Sequence, residues 1–323
     1  MKKIIGVGNA LVDILVHIDD DRVLEEMNLQ KGAVLFPQGE QRVRVEERIK
    51  TLQPVFSAGG AAANTMKAAA MLGLEAAYVG KVGRDEMGNV FTQALQAQGV
   101  MPLLSVTEKA PTGTASTFVS PDGQRSFADQ LGAAALLNEE DIPQSLWQSY
   151  DLLYVEGYLV QNHQLIQSVL RQAKEAGLET CLDLASYNIV AAERDFFQHL
   201  LAESIDIVFA NEEESLALTE KPAEEAALMM GKWCSTAVVK LGEHGAMAFQ
   251  YGKWAEAEAV SVGNVEDTTG AGDSFAAGFL WARAQGRPLA DCLQAGNIVA
   301  AEMIQHLGAT LPPEIWKRIK ARL

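Results

Sequence analysis

The chain has 323 residues, 48% of them hydrophobic and 21% charged, a balance that excludes a disordered chain and allows either two small domains or one α/β domain with an appendage. Its 26 Lys and Arg against 42 Asp and Glu give a formal charge of −16, so the average surface repels nucleic acid and anionic membrane, and an anionic ligand has to be held by local amides and metal ions. Cys181, Cys234 and Cys292 lie far apart and the five histidines are scattered, which argues against a zinc site and fits the reducing cytoplasm.

From the N-terminus, 3–8 reads as a buried first strand. Met1-Lys2-Lys3 before an apolar run resembles a secretion signal, but Asp13 interrupts it and no small-residue cleavage site follows. No stretch approaches the ~20 apolar residues that span a bilayer. Short apolar runs at 76–82, 152–156, 179–184, 207–210 and 237–241 predict further strands, with helical patterns at 61–72, 85–98, 163–176, 192–202, 212–219 and 224–232. Strand followed by crossover helix predicts a mainly parallel sheet covered by helices on both faces. Two stretches, 12–45 and 102–127, break the rhythm with β-rich, turn-punctuated sequence, including the hairpin turn Pro121-Asp122-Gly123. They either pair as a small separate sheet that covers a site and excludes water, or form two ordinary hairpins on the core. The tail from 289 reads as a helix stopped at Gly308, then a short helix after Pro312-Pro313.

The stretch Asp267-Thr268-Thr269-Gly270-Ala271-Gly272-Asp273-Ser274-Phe275 carries the most chemical information. It predicts a strand joined by a glycine turn to a helix over 274–284. Gly270 and Gly272 lack a Cβ, so the turn admits left-handed angles and lets a bulky anion reach its amides. The free N–H groups and dipole of the helix face the same anion. Asp273, at the mouth of that helix, is placed to take a proton from a substrate hydroxyl; an aspartate there also serves as an ordinary cap. A cap needs one of these residues, whereas the string supplies two acids, paired threonines and two glycines.

Four other constellations each carry two readings. Gly59-Gly60 opens an alanine-rich helix with Asn64 one turn in, suited to close approach of a ligand or simply to close packing. In Gly6-Val7-Gly8-Asn9-Ala10-Leu11 the third glycine of a nicotinamide-binding fingerprint is replaced by Leu11, which argues against a dehydrogenase. Asp13 beyond it accepts hydrogen bonds from ligand hydroxyls or is a surface loop acid. Asn211 and Glu214, three apart on one helix face, suit Mg²⁺ bound through waters, or stabilise the helix through its dipole. Lys240-Leu241-Gly242-Glu243-His244-Gly245 borders a nucleotide or is merely a turn.

Taken in order, Gly59-Gly60-x-x-x-Asn64, Asn211-x-x-Glu214, Leu241-Gly242-x-x-Gly245 and the stretch 267–275 resemble the PfkB/ribokinase family of carbohydrate and nucleoside kinases over nearly the whole chain. The resemblance implies a ribokinase-like three-layer α/β fold, one domain over 1–323, with a small β lid built from two insertions at about 13–46 and 102–127. It implies transfer of the γ-phosphoryl group of ATP to a hydroxyl, commonly a hydroxymethyl, of a sugar or nucleoside. Asp273 matches the family's catalytic base, and the amides of Gly270, Ala271 and Gly272 match its anion hole. Asp13, Gly59, Gly60 and Asn64 match positions that bind substrate hydroxyls. Asn211 and Glu214 match the motif that organises Mg²⁺ and phosphate, with Glu214 reaching Mg²⁺ through water; Gly242, Gly245 and Asn297 would border the nucleotide. Asp267 matches a position contributing to a monovalent cation site, such as one for K⁺.

The segments Gly8-Asn9-Ala10-Leu11-Val12-Asp13-Ile14 and Glu156-Gly157-Tyr158-Leu159 look more like the adenosine-kinase branch than ribokinase proper, with Tyr158 either stacking on a base or packing. The lid segments look short beside those of eukaryotic adenosine kinases. That leaves a plain sugar or a bacterial nucleoside kinase open and permits a homodimer joined lid to lid. The competing class is a nucleotide- or sugar-binding regulator that lost catalysis; the intact Asp273 and Asn211-x-x-Glu214 count against it.

Overall fold

The computed structural model describes residues 2–32, 34–35, 37–122 and 124–323. In the first half of the chain the elements are β1 (Lys3–Val7), β2 (Leu11–His17), α1 (Arg22–Glu26), β3 (Val34–Leu35), α2 (Gly39–Thr51), β4 (Val55–Gly59), α3 (Ala61–Leu72), β5 (Glu75–Gly83), α4 (Glu86–Ala97), β6 (Val100–Thr107), β7 (Gly113–Val119), β8 (Arg125–Gln130) and β9 (Leu152–Glu156). There follow α5 (His163–Glu175), β10 (Glu179–Asp183), α6 (Tyr187–Ala192), α7 (Arg194–Ser204), β11 (Ile207–Asn211), α8 (Glu212–Thr219), α9 (Ala223–Trp233), β12 (Thr236–Lys240), β13 (Ala246–Gln250), β14 (Lys253–Ala257), α10 (Ala271–Ala284), α11 (Leu289–Met303) and α12 (Pro313–Arg322).

Among the described residues the main sheet has nine strands in the order β14-β13-β12-β11-β10-β9-β1-β5-β6. It is parallel from β12 through β6, while β13 and β14 add an antiparallel edge. Alternate side chains enter opposite cores, as strand geometry requires. Ile4, Leu152 and Tyr154 pack with α3, α10 and α11 on one face, and Ile5, Leu153 and Val155 pack with α5, α7 and α9 on the other. These strands therefore read as unbroken apolar runs. On the first face Phe279 of α10 meets Phe209 of β11 edge-on, with ring centroids 5.2 Å apart, which fixes α10 against the strands that carry the site.

A second sheet of five strands runs β3-β8-β7-β2-β4. On β2, Val12, Ile14 and Val16 are buried while Leu11, Asp13 and Leu15 are only partly so, so one face of this sheet joins the core and the other stays partly open.

The fold departs from the sequence expectations in several places. The first rhythm-breaking stretch, read as β-rich, runs at its end into the 13-residue helix α2; Val45 and Ile49 form its buried face and Arg42 pairs with Glu46 one turn on, 3.1 Å away. Residues 100–107 form the β6 edge of the main sheet, with Met101 and Val106 exposed and only Val100 fully buried. Strand β4 was not foreseen. Residues 258–269, expected to include a strand, have no regular structure, and α10 begins at Ala271, three residues early. Of the 121–123 turn, Gly123 lies outside the described residues.

Candidate active site

The parallel strands end along one edge that carries polar groups: Asn9 two residues after β1, and the last residues of four strands, Glu156 on β9, Asp183 on β10, Asn211 on β11 and Lys240 on β12. Ligands of open α/β sheets bind at this edge. The turn into α10 lies over it. Gly270 caps the helix at φ 73°, a backbone region that L side chains avoid, and a Cβ there would lie 2.7 Å from that of Ala309.

Asp273 is therefore the third residue of the helix and makes no capping bond. Its Oδ2 instead accepts a hydrogen bond of 2.9 Å from Asn64 Nδ2, across 209 residues of sequence. Ala271 N–H donates to the Thr268 carbonyl at 3.1 Å, so that amide is used within the turn. Those of Gly270 and Gly272 donate to no acceptor among the described residues. Burial pushes the Asp273 carboxyl up to about 7; Asn64 opposes the shift and the nearby Asp183 adds to it.

Asn64 is placed by a buried acid that the motif reading did not single out. Glu156 accepts from Asn9 N–H at 2.8 Å, Asn9 Nδ2 at 2.9 Å and Ala62 N–H at 2.9 Å. It thereby ties β1 and β9 to the first turn of α3, where Gly60 takes φ 86° as N-cap. Asn64 is 8% exposed and its Oδ1 is buried without a partner among the described residues. One turn further, buried Lys67 donates to the Ala58 carbonyl and to Thr310 Oγ1. Burial lowers its pKa to about 8, against the pull of Asp13 and Asp273. Asp13 reaches the same place from the second sheet, with its carboxylate over Gly59: a Cβ on Gly59 would overlap it. Burial pushes Asp13 up to about 6, with Lys67 opposing.

On the other side of Asp273, Lys240 Nζ lies 2.9 Å from Asp183 Oδ2 and would stand 3.1 Å from a Cβ on Gly272. Burial disfavours its charge, but Asp183 and Glu214 outweigh burial and raise its pKa. Asn211 and Glu214 form a reciprocal capping box: Glu214 N–H donates to Asn211 Oδ1 at 2.7 Å, while Asn211 N–H and Nδ2 donate to the Glu214 carboxylate at 2.8 and 2.9 Å. Burial, then Asp183, pushes Glu214 up to about 7. No group of three His, Cys, Asp or Glu among the described residues is arranged to hold a metal directly.

Gly242 and Gly245 lie at the β12–β13 turn with positive φ. Gly245 packs against 257–259, where Asn297 Nδ2 donates to the Ala257 and Glu258 carbonyls at 3.1 and 3.0 Å, so these two expected nucleotide residues meet at one place. Asp267 is bound by Thr269 N–H and Oγ1 and by Gly308 N–H, which brace the α10 turn against the loop after α11. The Tyr158 hydroxyl donates to the Ala185 carbonyl at 3.5 Å, and burial, then Glu156 and Asp183, pushes it up to about 12.

Asp13, Glu156, Glu214 and Asp273 all hold protons more tightly than they would in an unfolded chain. Between about pH 4 and about pH 7 the folded state thus binds more protons, and its stability falls as pH rises through that window. The melting temperature of ligand-free protein should therefore be lower at about pH 8 than at about pH 5.5; calorimetry finding the opposite order would contradict these assignments.

Residues 37–316 match the model of the pfkB family carbohydrate kinases. The chain is 28% identical over 336 aligned residues to an adenosine kinase of Dictyostelium discoideum, with 96% of each chain covered. Its structure is similar to that of an adenosine kinase from Sinorhizobium meliloti at 33% identity, TM-score 0.88 and coverage of 100% and 99%. It is also similar to a probable sugar kinase from Rhizobium etli CFN 42 at 33% identity, TM-score 0.87 and coverage of 99% and 98%. The mostly parallel sheet, the acid at the head of α10 and these likenesses lead to one conclusion: the chain belongs to the pfkB family of carbohydrate kinases and is an ATP-dependent kinase acting on a hydroxyl of a sugar or nucleoside.

Proposed function

We propose that the protein phosphorylates the hydroxymethyl group of a nucleoside of the adenosine class, with Asp273 as general base. The observation that carries this reading is the Asp273–Asn64 hydrogen bond at the head of α10. With Oδ2 engaged by Asn64, the second carboxylate oxygen is left for a substrate hydroxyl, beside the amides of Gly270 and Gly272. Ala271 shapes that cradle from within its turn. A carboxyl at about 7 is matched to neutral operating pH.

Phosphoryl transfer through a loose transition state demands position and charge stabilisation more than a strong base. Asp13 and Asn64 would orient the acceptor's hydroxyls, with Gly59 and Gly60 admitting it, Tyr158 forming part of the wall and the second sheet acting as the lid. Gly242, Gly245 and Asn297 would border the adenine nucleotide. Oxygen donors suit Mg²⁺, and Asp183, Glu214 and Asp273 surround Lys240 with more negative than positive charge. Glu214 would hold Mg²⁺ through water with Asn211 beside it, and the ion would neutralise the polyphosphate. Asp267 would keep the turn and the 308 loop in the arrangement needed by K⁺.

The adenosine kinases among the relatives support a nucleoside over a plain sugar. Three buried free cysteines support a cytoplasmic enzyme. The open edge of β4, with Val55 63% and Phe56 40% exposed, supports a homodimer joined through the second sheet, since such an edge is a template for pairing.

Asp273→Asn should retain nucleoside binding and lower turnover by about 10²–10⁴-fold, measured as ADP release with Mg·ATP against nucleosides and sugars, with and without K⁺. Near-normal turnover of the variant would remove Asp273 from the role. Binding without turnover by the unaltered protein on every acceptor would favour a silent regulator. Val55→Lys should shift a dimer to monomer in sedimentation velocity; an unaltered species would place the interface elsewhere.

A further inference from the structure

The open face of the second sheet carries a carboxylate that the kinase reading leaves unused. Asp13 on β2 is in register with Ala115 on β7, and Ala115 is in register with Asp129 on β8. Register partners point to one face, so Asp129 stands on the Asp13 side, two strands or about 10 Å away. The strand order β8-β7-β2-β4 puts it on the side away from β4, which leads into α3 and Asn64. Phe127, two residues before Asp129, shares the face with Leu15 and Thr117, with which it is aligned.

Two buried acceptor atoms on these elements have no partner among the described residues: Asn64 Oδ1, on a side chain only 8% exposed, and Asp129 Oδ1. An unpaired buried oxygen is costly in an isolated fold and is satisfied by a ligand that brings a donor. Burial, then the charge of Asp13, pushes Asp129 up to about 6, and the Ser116 N–H opposes the shift. A carboxylate held in such surroundings gains when an N–H arrives.

We infer that Asp129 reads a hydrogen-bond donor on the nucleobase of the acceptor, an exocyclic amino group or ring N–H, and so sets which nucleosides enter. The inference rests on the nucleoside reading. Asn64 and Asp13 engage the sugar end near Asp273, and the carboxylate about 10 Å beyond Asp13 suits a second ring better than it suits a single monosaccharide. Asp129 acts on binding and stands away from the reacting atoms, so it belongs in KM and not in kcat.

The test compares adenosine with purine riboside, which lacks the amino group and any base N–H, in the unaltered enzyme and in Asp129→Ala and Asp129→Asn. For adenosine both variants should raise KM about tenfold or more, with kcat within about threefold. For purine riboside KM should change less than about threefold, and the unaltered enzyme should favour adenosine over it by about tenfold or more in kcat/KM. Asp129→Asn, nearly isosteric, retains the fold if truncation to alanine does not. Equal effects on the two nucleosides, or none, would overturn this inference while leaving the nucleoside reading in place. Turnover of sugars with no nucleoside accepted would overturn both.

Discussion

Too much negative charge is gathered where the parallel strands end, and the site is organised around that excess. Glu156, Asp183, Glu214 and Asp273 converge there, with Asp13 reaching in from the second sheet, and Lys67 and Lys240 are the buried lysines that answer them. A buried carboxylate survives by hydrogen bonding, pairing or taking up a proton. Each member uses a different remedy: Glu156 gathers three N–H donors, Asp183 pairs with Lys240, Glu214 closes a capping box, and Asp273 leans on one amide while its affinity for a proton rises.

Those hydrogen bonds also fix how the elements around Asp273 meet. Because Glu156 binds Asn9 and Ala62 together, the entry of α3 is fixed to the sheet, and Asn64 one turn later inherits that position. Because α10 is packed through Phe279 onto Phe209, Asp273 arrives from the opposite end of the chain at hydrogen-bonding distance from Asn64. The second sheet completes the enclosure through Asp13 over Gly59. A kinase has to align an alcohol, a base and a polyphosphate while excluding water; in the proposed function the second sheet with α3, the head of α10, and the ends of β11 and β12 would each support one of them.

Much of the main sheet is legible in the sequence because its strands are buried on both faces and appear as short apolar runs. The turn at 267–275 is legible because Gly270 has to take a left-handed angle and two acids flank it. Other features follow from three-dimensional placement that local pattern does not carry. Glu156 and Asp183 are single acids at strand ends, and their burial depends on α3 and Lys240. Lys67 sits in an alanine-rich helix, where a lone lysine suggests a surface position. Helix α2 hides because two buried positions, Val45 and Ile49, suffice to seat an otherwise charged helix. The Asn211–Glu214 pair is legible as a helix-start signal, and the structure makes it a reciprocal capping box.

If the excess negative charge is the feature that Mg²⁺ and nucleotide complete, binding them must displace protons from carboxyls that titrate near 7. Titration calorimetry of Mg·ADP into the protein at about pH 6.5, repeated in buffers of different ionisation enthalpy, measures that displacement directly. Net proton release is expected, diminished in Glu214→Gln. Binding with no exchange of protons, or with net uptake, would contradict it.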